Sequence, residues 1–335
     1  MAGREKHRNR PPGRRTGAKR RALRLPLVLA ALLALPACNL LTTPLPPRPA
    51  PRPAPPPHPK PHVLPRSPES RALSAYYQRV EEGLLARGLL RQGGGGPDTP
   101  FSAEDLARNF IRIAFFDEFV VEGGRVIQRE SASRLKRWEG PVRMRVIFGP
   151  SIPLDQRRRD RAEIAAYAAR LAALTGLPIR LVRSGGNFHV LFLNEDERRR
   201  AAPLIRSLMP GIDAPTLASM LDMDRDTRCQ VYAFTEGGGG WRYRAAIAII
   251  RGEHPDLLRT ACIHEEIAQG LGLANDSPRA RPSIFNDDEE FGRLTTMDEL
   301  MLKILYDKRL TPGMTAEEAR PIVRQIAAEL LGGSS

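Results

Sequence analysis

The stretch Pro255–Asp276, PDLLRTACIHEEIAQGLGLAND, reads as one helix ending in a glycine turn, and it holds the densest set of polar groups able to do chemistry. Glu265 and Gln269 are four residues apart and share one helix face. Glu266 stands beside them, and Gly272, Asn275 and Asp276 follow where the chain leaves the helix. His264 precedes the pair, but about 100° of rotation per residue turns it away from the Glu265/Gln269 face. A lone histidine in that setting reads first as a hydrogen-bonded structural residue.

Upstream of this helix the hydrophobic pattern alternates strands and helices. VRMRVIFG (142–149) has the period of a strand. Asp160 to Thr175 is an alanine- and leucine-rich helix stopped by Gly176 and Pro178. Short strands are expected at 178–182 and 188–193, a helical or irregular stretch at 196–224, and two further strands at 229–237 and 243–252. Downstream come a loop, PSIFNDDEEF (282–291), and helices at 296–306 and 315–330. Nearer the N-terminus, residues 69–91 read as an amphipathic helix. Ser102 opens another, with Asp105 as its capping-box partner. Residues 115–121 and 125–129 pattern as a hairpin turning at Glu122-Gly123-Gly124.

The net charge of +14 suggests nucleic acid at first sight, but its location argues against it. Residues 1–37 hold ten Lys/Arg and one acid; without them the net charge is +5, and the Pro-rich stretch 44–68 removes four more basic residues. The folded part is close to neutral, so a nucleic-acid partner loses its electrostatic support. Residues 25–37, LPLVLAALLALPA, are an apolar run of signal-peptide length. Thirteen prolines in the twenty-five positions 44–68 favour extended polyproline II and a tether, not a core. The expected organisation is a signal peptide at 1–37, a tether at 38–68, an α-rich N-terminal extension at 69–138 and the main domain at 139–335.

Leu35-Pro36-Ala37-Cys38 resembles the lipobox of bacterial lipoproteins. It implies lipidation at Cys38, anchorage to a membrane and a domain facing the periplasm. Asn39 in place of aspartate leans to the outer membrane. Cys229 and Cys262 then remain as an even pair in an oxidising compartment, so a disulfide between them is expected.

The spacing E-E-x-x-Q-x-x-G-x-x-N from Glu265 to Asn275 resembles the zinc-protease pattern H-E-x-x-H-x-x-G-x-x-H, with the base (Glu266) and the glycine (Gly272) kept and the three histidines replaced. The order of elements also resembles metzincins, matrixins in particular. Trp138 stands before the first strand, Leu294 to Asp298 look like the start of the last matrixin helix, and Pro282 to Asn286 fall at the methionine turn. That resemblance implies an α+β, zincin-like domain with a mixed, roughly five-stranded sheet and an active-site helix, Ile284 or Phe285 supplying the apolar floor. The signature Cys262 to Gln269, Leu271-Gly272-Leu273, Asn275-Asp276 and Pro282 to Asp288 is similar to the domain-of-unknown-function 2927 family of proteobacterial envelope lipoproteins.

Two functions stay open. One is a non-catalytic module binding a peptide or envelope partner, with no metal. The other is a divergent metal-dependent hydrolase in which Glu265, Gln269, Asn275 and Asp276 hold a hard divalent cation and Glu266 is general base. Both would lay an extended peptide along Val231 to Phe234. His264, Gly272, Ile284 and Phe285 complete the expected cleft. The acidic run Asn286 to Glu290 reads as a solvated loop or as a source of further ligands.

Overall fold

The computed structural model describes residues 63–332; the expected signal peptide, Cys38 and most of the tether lie outside them. Helix α1 (Pro68–Ala86) stops short of the expected residue 91. Helix α2 (Ala103–Ala114) starts at the expected capping box, in which the Ser102 hydroxyl accepts from the Asp105 amide and the Asp105 carboxylate accepts from the Ser102 amide. Strands β1 (Phe116–Glu122) and β2 (Arg125–Ala132) form the antiparallel hairpin. Gly123 and Gly124 both take positive φ at its tip, the two-residue turn that suits strand twist.

The main sheet begins with β3 (Val142–Phe148), followed by α3 (Leu154–Thr175), β4 (Ile179–Leu181) and β5 (Phe188–Leu193). The stretch 196–224 resolves into three short helices, α4 (Glu195–Arg199), α5 (Ala202–Leu208) and α6 (Ala214–Leu221). Strands β6 (Cys229–Thr235) and β7 (Tyr243–Arg251) complete the sheet, and α7 (Asp256–Gln269), α8 (Thr296–Leu305) and α9 (Ala316–Leu330) close the chain. The strand order is β4-β3-β5-β7-β6. Strands β3, β4, β5 and β7 run parallel, and β6 pairs antiparallel with β7. The expected α+β class with a five-stranded mixed sheet is therefore observed.

Burial on both faces explains why β5 and β7 read as continuous apolar runs. Alternation sends Val190, Phe192, Ala248 and Ile250 into a core shared with α2, α3, α7, α8 and α9. Leu191, Leu193, Ile247 and Ile249 go to the opposite face, under α5 and α6. Helix α2, in the stretch expected as an N-terminal extension, buries Leu106, Phe110 and Ile113 in the first of these cores. Trp138, also in that core, donates its indole N–H to the Gly270 carbonyl at 2.8 Å, tying the chain before β3 to the end of α7.

Asp298 fixes the loop after α7. Fully buried in the first turn of α8, it accepts from the Ser283 hydroxyl at 2.6 Å, the Ile284 amide at 3.0 Å, the Thr295 amide at 2.8 Å and the Thr295 hydroxyl at 2.9 Å. Burial pushes its carboxyl up to about 6, although these donors favour the ionised form. Replacing Asp298 by alanine leaves buried donors without partners, which costs about 2–4 kcal/mol. A urea midpoint lowered accordingly is expected for Asp298→Ala; a change below about 1 kcal/mol would show that other contacts hold the loop.

Candidate functional site

Helix α7 faces the edge strand β6 across a disulfide. Cys229, the first residue of β6, is bonded to Cys262 in α7 over a sequence separation of 33, as expected from the cysteine pair. Glu265 and Glu266 lie one helical turn beyond Cys262 and so emerge beside the same strand. They border a cleft of about 630 Å³ whose walls are α7, β6, the β1-β2 hairpin and the loop after α7.

Five expected residues meet in this cleft: Glu265, Glu266, Gln269, Asp276 and Ile284. Gln269 donates its side-chain amide to Asp276 at 3.0 Å. Ile284, and not Phe285, lines the cleft; Phe285 is wholly buried in the core. The other expected cleft residues are used elsewhere. His264 accepts the Leu294 amide on Nδ1 at 3.2 Å, so Nε2 carries the proton and meets Glu163 at 3.0 Å. Its ring stacks on Tyr167 with centroids 4.0 Å apart, and both nitrogens are committed. Gly272 has φ +129°, and a Cβ there would come within 2.4 Å of the Lys136 carbonyl oxygen. It shapes the turn without lining the cleft. Asn275 is buried and donates to the Arg112 carbonyl and to Glu130, both at 3.0 Å. It braces α2 and the hairpin, so Glu265, Gln269 and Asn275 do not converge as the three ligands of a zinc-protease pattern would. His189 and His254 are also buried away from the cleft.

Sequence reasoning missed Glu118 on β1, which lines the cleft and accepts from Gln128 at 3.0 Å. Its signal was an acid inside the apolar run Phe116 to Val121. Arg228 and Lys136 were missed as well. Both line the cleft, but each is already paired, Arg228 with Glu289 and Lys136 with Asp117. From the loop, Asp287 reaches the rim.

Among the described residues, no ion pair is made by Glu118, Glu265, Glu266 or Asp276. Burial pushes all four carboxyls up, and their neighbours add to it. Asp276 rises to about 7, by burial and then by Asp287, and Glu118 to about 8, by burial and then by Asp276. Glu265 and Glu266 move in the same direction, by burial first, followed by Asp276 for Glu265 and by Glu265 for Glu266. Glu266 is 4% exposed, and its Oε2 has no hydrogen-bond partner.

These shifts carry a pH signature. A carboxyl whose folded pKa lies above its unfolded value of about 4 keeps its proton longer in the native state. Its contribution to stability therefore declines as pH rises from about 4 through the folded value, here about 7 to 8. The buried histidines, whose pKa values are lowered, lose stability in the opposite direction below about pH 6.5. A Glu118→Gln, Asp276→Asn double variant cancels that background. In chelator its urea midpoint is expected to exceed the parent's by more at pH 8 than at pH 5. Equal midpoints at both pH values would contradict the electrostatic reading.

A family model described as "Protein of unknown function (DUF2927)" matches residues 103–325, from the start of α2 into α9. The matched region contains the hairpin, the sheet, α7 and the loop that together build the cleft. No curated protein matches the chain. Since the model matches well over half of the sequence, the chain belongs to the DUF2927 family.

Proposed function

We propose that this domain is a zincin-like scaffold that binds an extended peptide by strand addition to β6, and that Cys38 lipidation tethers it in the bacterial envelope facing the periplasm. The observation that carries the binding reading is the open edge. Strand β6 is the last strand of the sheet, pairs only with β7 among the described residues, and lines the cleft through Gln230, Val231, Ala233 and Thr235. An unpaired edge offers a row of amides and carbonyls to an extended partner.

Outward groups alternate along an antiparallel strand. The Val231 amide lies against Glu266, which places Ala233 on the same open edge. Both belong to the segment that sequence reasoning marked for a peptide. Support for the zincin-like scaffold comes from the antiparallel edge strand beside α7, the Gly272 turn, Trp138 bound to Gly270, and Ile284 under the site. The divergent ligand positions favour binding over zinc-dependent hydrolysis, because Asn275 is spent on the hairpin. In the envelope reading, the Pro-rich tether holds the domain away from the membrane surface. No described helix is long and apolar enough to cross a membrane.

The test is an array of peptides of about eight residues, the length of a strand, probed with the protein and with Ala233→Pro. Proline is tolerated at a sheet edge but removes one outward donor. Peptides without proline are expected to bind the parent and to lose about tenfold or more with the variant, the value of one or two backbone hydrogen bonds. Equal binding by a folded Ala233→Pro protein would sink the strand-addition reading. Neither the parent nor Glu266→Gln is expected to cleave the bound peptides; cleavage by the parent alone would replace binding with hydrolysis.

A further inference from the structure

The cleft gathers four carboxyl groups that make no ion pair among the described residues. Glu118 arrives from the hairpin, Glu265 and Glu266 from α7, and Asp276 from the chain beyond it. Carboxylate oxygens of Glu265 and Glu266 lie within 4.8 Å of each other. The cationic side chains nearby are spent, Lys136 on Asp117 and Arg228 on Glu289. An acidic cluster on a surface needs no partner, but this one includes a carboxylate that water does not reach. Glu266 is 4% exposed, borders the cleft and leaves Oε2 without a hydrogen bond. An unpartnered polar atom buried in a native fold calls for an explanation, and a bound ion supplies one.

We propose that Glu265 and Glu266, whose oxygens already lie within 4.8 Å, form the core of a site for one hard divalent cation of the calcium or manganese class, completed by Glu118 and Asp276, which line the same cleft outside that group and turn in to the ion. The donors are all oxygens, which selects against soft and borderline metals. Thiolate ligation is unavailable: Cys229 Sγ also lies within 4.8 Å of the Glu265 and Glu266 oxygens, but it is bonded to Cys262. Imidazole is unavailable too, since His264 spends both nitrogens on Leu294 and Glu163. With its amide nitrogen given to Asp276, Gln269 keeps a carbonyl oxygen as a neutral fifth donor. This set differs from the one aligned with the protease pattern: Glu118 enters from the hairpin and Asn275 drops out. A cation there would join the hairpin to α7 and hold the cleft walls at a fixed spacing. Its test is separate from that of peptide binding at β6, although Glu266 also lies against the Val231 amide of that edge.

The experiment is calorimetric titration of chelator-stripped protein with calcium, manganese, magnesium and zinc chlorides in separate runs, with thermal unfolding in parallel. One calcium or manganese ion per chain is expected, with the unfolding midpoint raised by about 5 °C at roughly a hundredfold excess over Kd. Glu118→Gln and Asp276→Asn, tested singly, are each expected to weaken binding about tenfold or more. Both substitutions lower the buried charge, so each variant is expected to fold in the absence of the ion. The proposal is overturned if calcium, manganese and magnesium all fail to saturate by about 10 mM, beyond the weakest range of such sites. Tighter binding of zinc than of calcium or manganese would overturn the oxygen-donor assignment. Stoichiometric binding unchanged in both variants would place the ion elsewhere and overturn the site. Any of these failures leaves the peptide array result standing, so the two readings fail separately.

Discussion

The Cys229–Cys262 disulfide is the constraint from which the geometry of the cleft follows. It ties the first residue of the edge strand to the middle of α7, two elements that hydrogen bonding alone would not hold together. For a loop of this length the crosslink contributes about 3–4 kcal/mol through the unfolded chain. Its positional effect matters more. With Cys262 fixed against β6, the next turn of α7 must bring Glu265 and Glu266 alongside the strand. The buried carboxylate of Glu266 and the amide of Val231 meet because the disulfide leaves them little other choice.

Around that crosslink, the fold spends its stabilising groups on the walls and leaves the cleft carboxyls without cationic partners among the described residues. Asp298 collects four donors and pins the loop that delivers Ile284. Asn275 braces α2 and the hairpin, and His264 locks α7 to α3 and to the start of α8 through Glu163 and Leu294. The His264 hydrogen bond and then Arg293 hold the Glu163 carboxyl down at about 2. Each of these polar groups is satisfied, whereas the four floor carboxylates are not paired with any cation among the described residues. Clusters of carboxyls with strongly raised pKa values are found preferentially at functional sites. In the proposed reading, the open strand edge beside them and the carboxyl cluster give the cleft two recognition elements, a backbone ladder and a cation site.

Much of this was legible from local chemistry. The capping box of Ser102 and Asp105, the Gly123-Gly124 turn and the alternation of residues 142–149 are short-range signals, and the corresponding elements form. The disulfide was legible from parity and compartment. What the sequence hid depends on tertiary placement. Glu118 sits 138 residues before the start of α7, and no period or motif announces that the hairpin folds over the helix. Asn275 lies at the third ligand position of the pattern, yet the turn at Gly272 directs it to Arg112 and Glu130. Spacing along a helix fixes a shared face; beyond the helix end it no longer fixes direction. The stretch 196–224, expected as helical or irregular, is helical, but its division into three helices was hidden for a related reason. Three short helices there pack beside buried Arg198 and Arg251, which share Glu195, and such a network is invisible in hydrophobic period.

Hydrogen exchange of the β6 amides, followed with and without a peptide selected from the array, is the measurement on which the proposed function stands or falls. Strand addition places a new acceptor opposite Ala233, so exchange there should slow by at least tenfold on binding, the equivalent of about 1.4 kcal/mol. Protection elsewhere with β6 exchanging at its free rate would contradict the account.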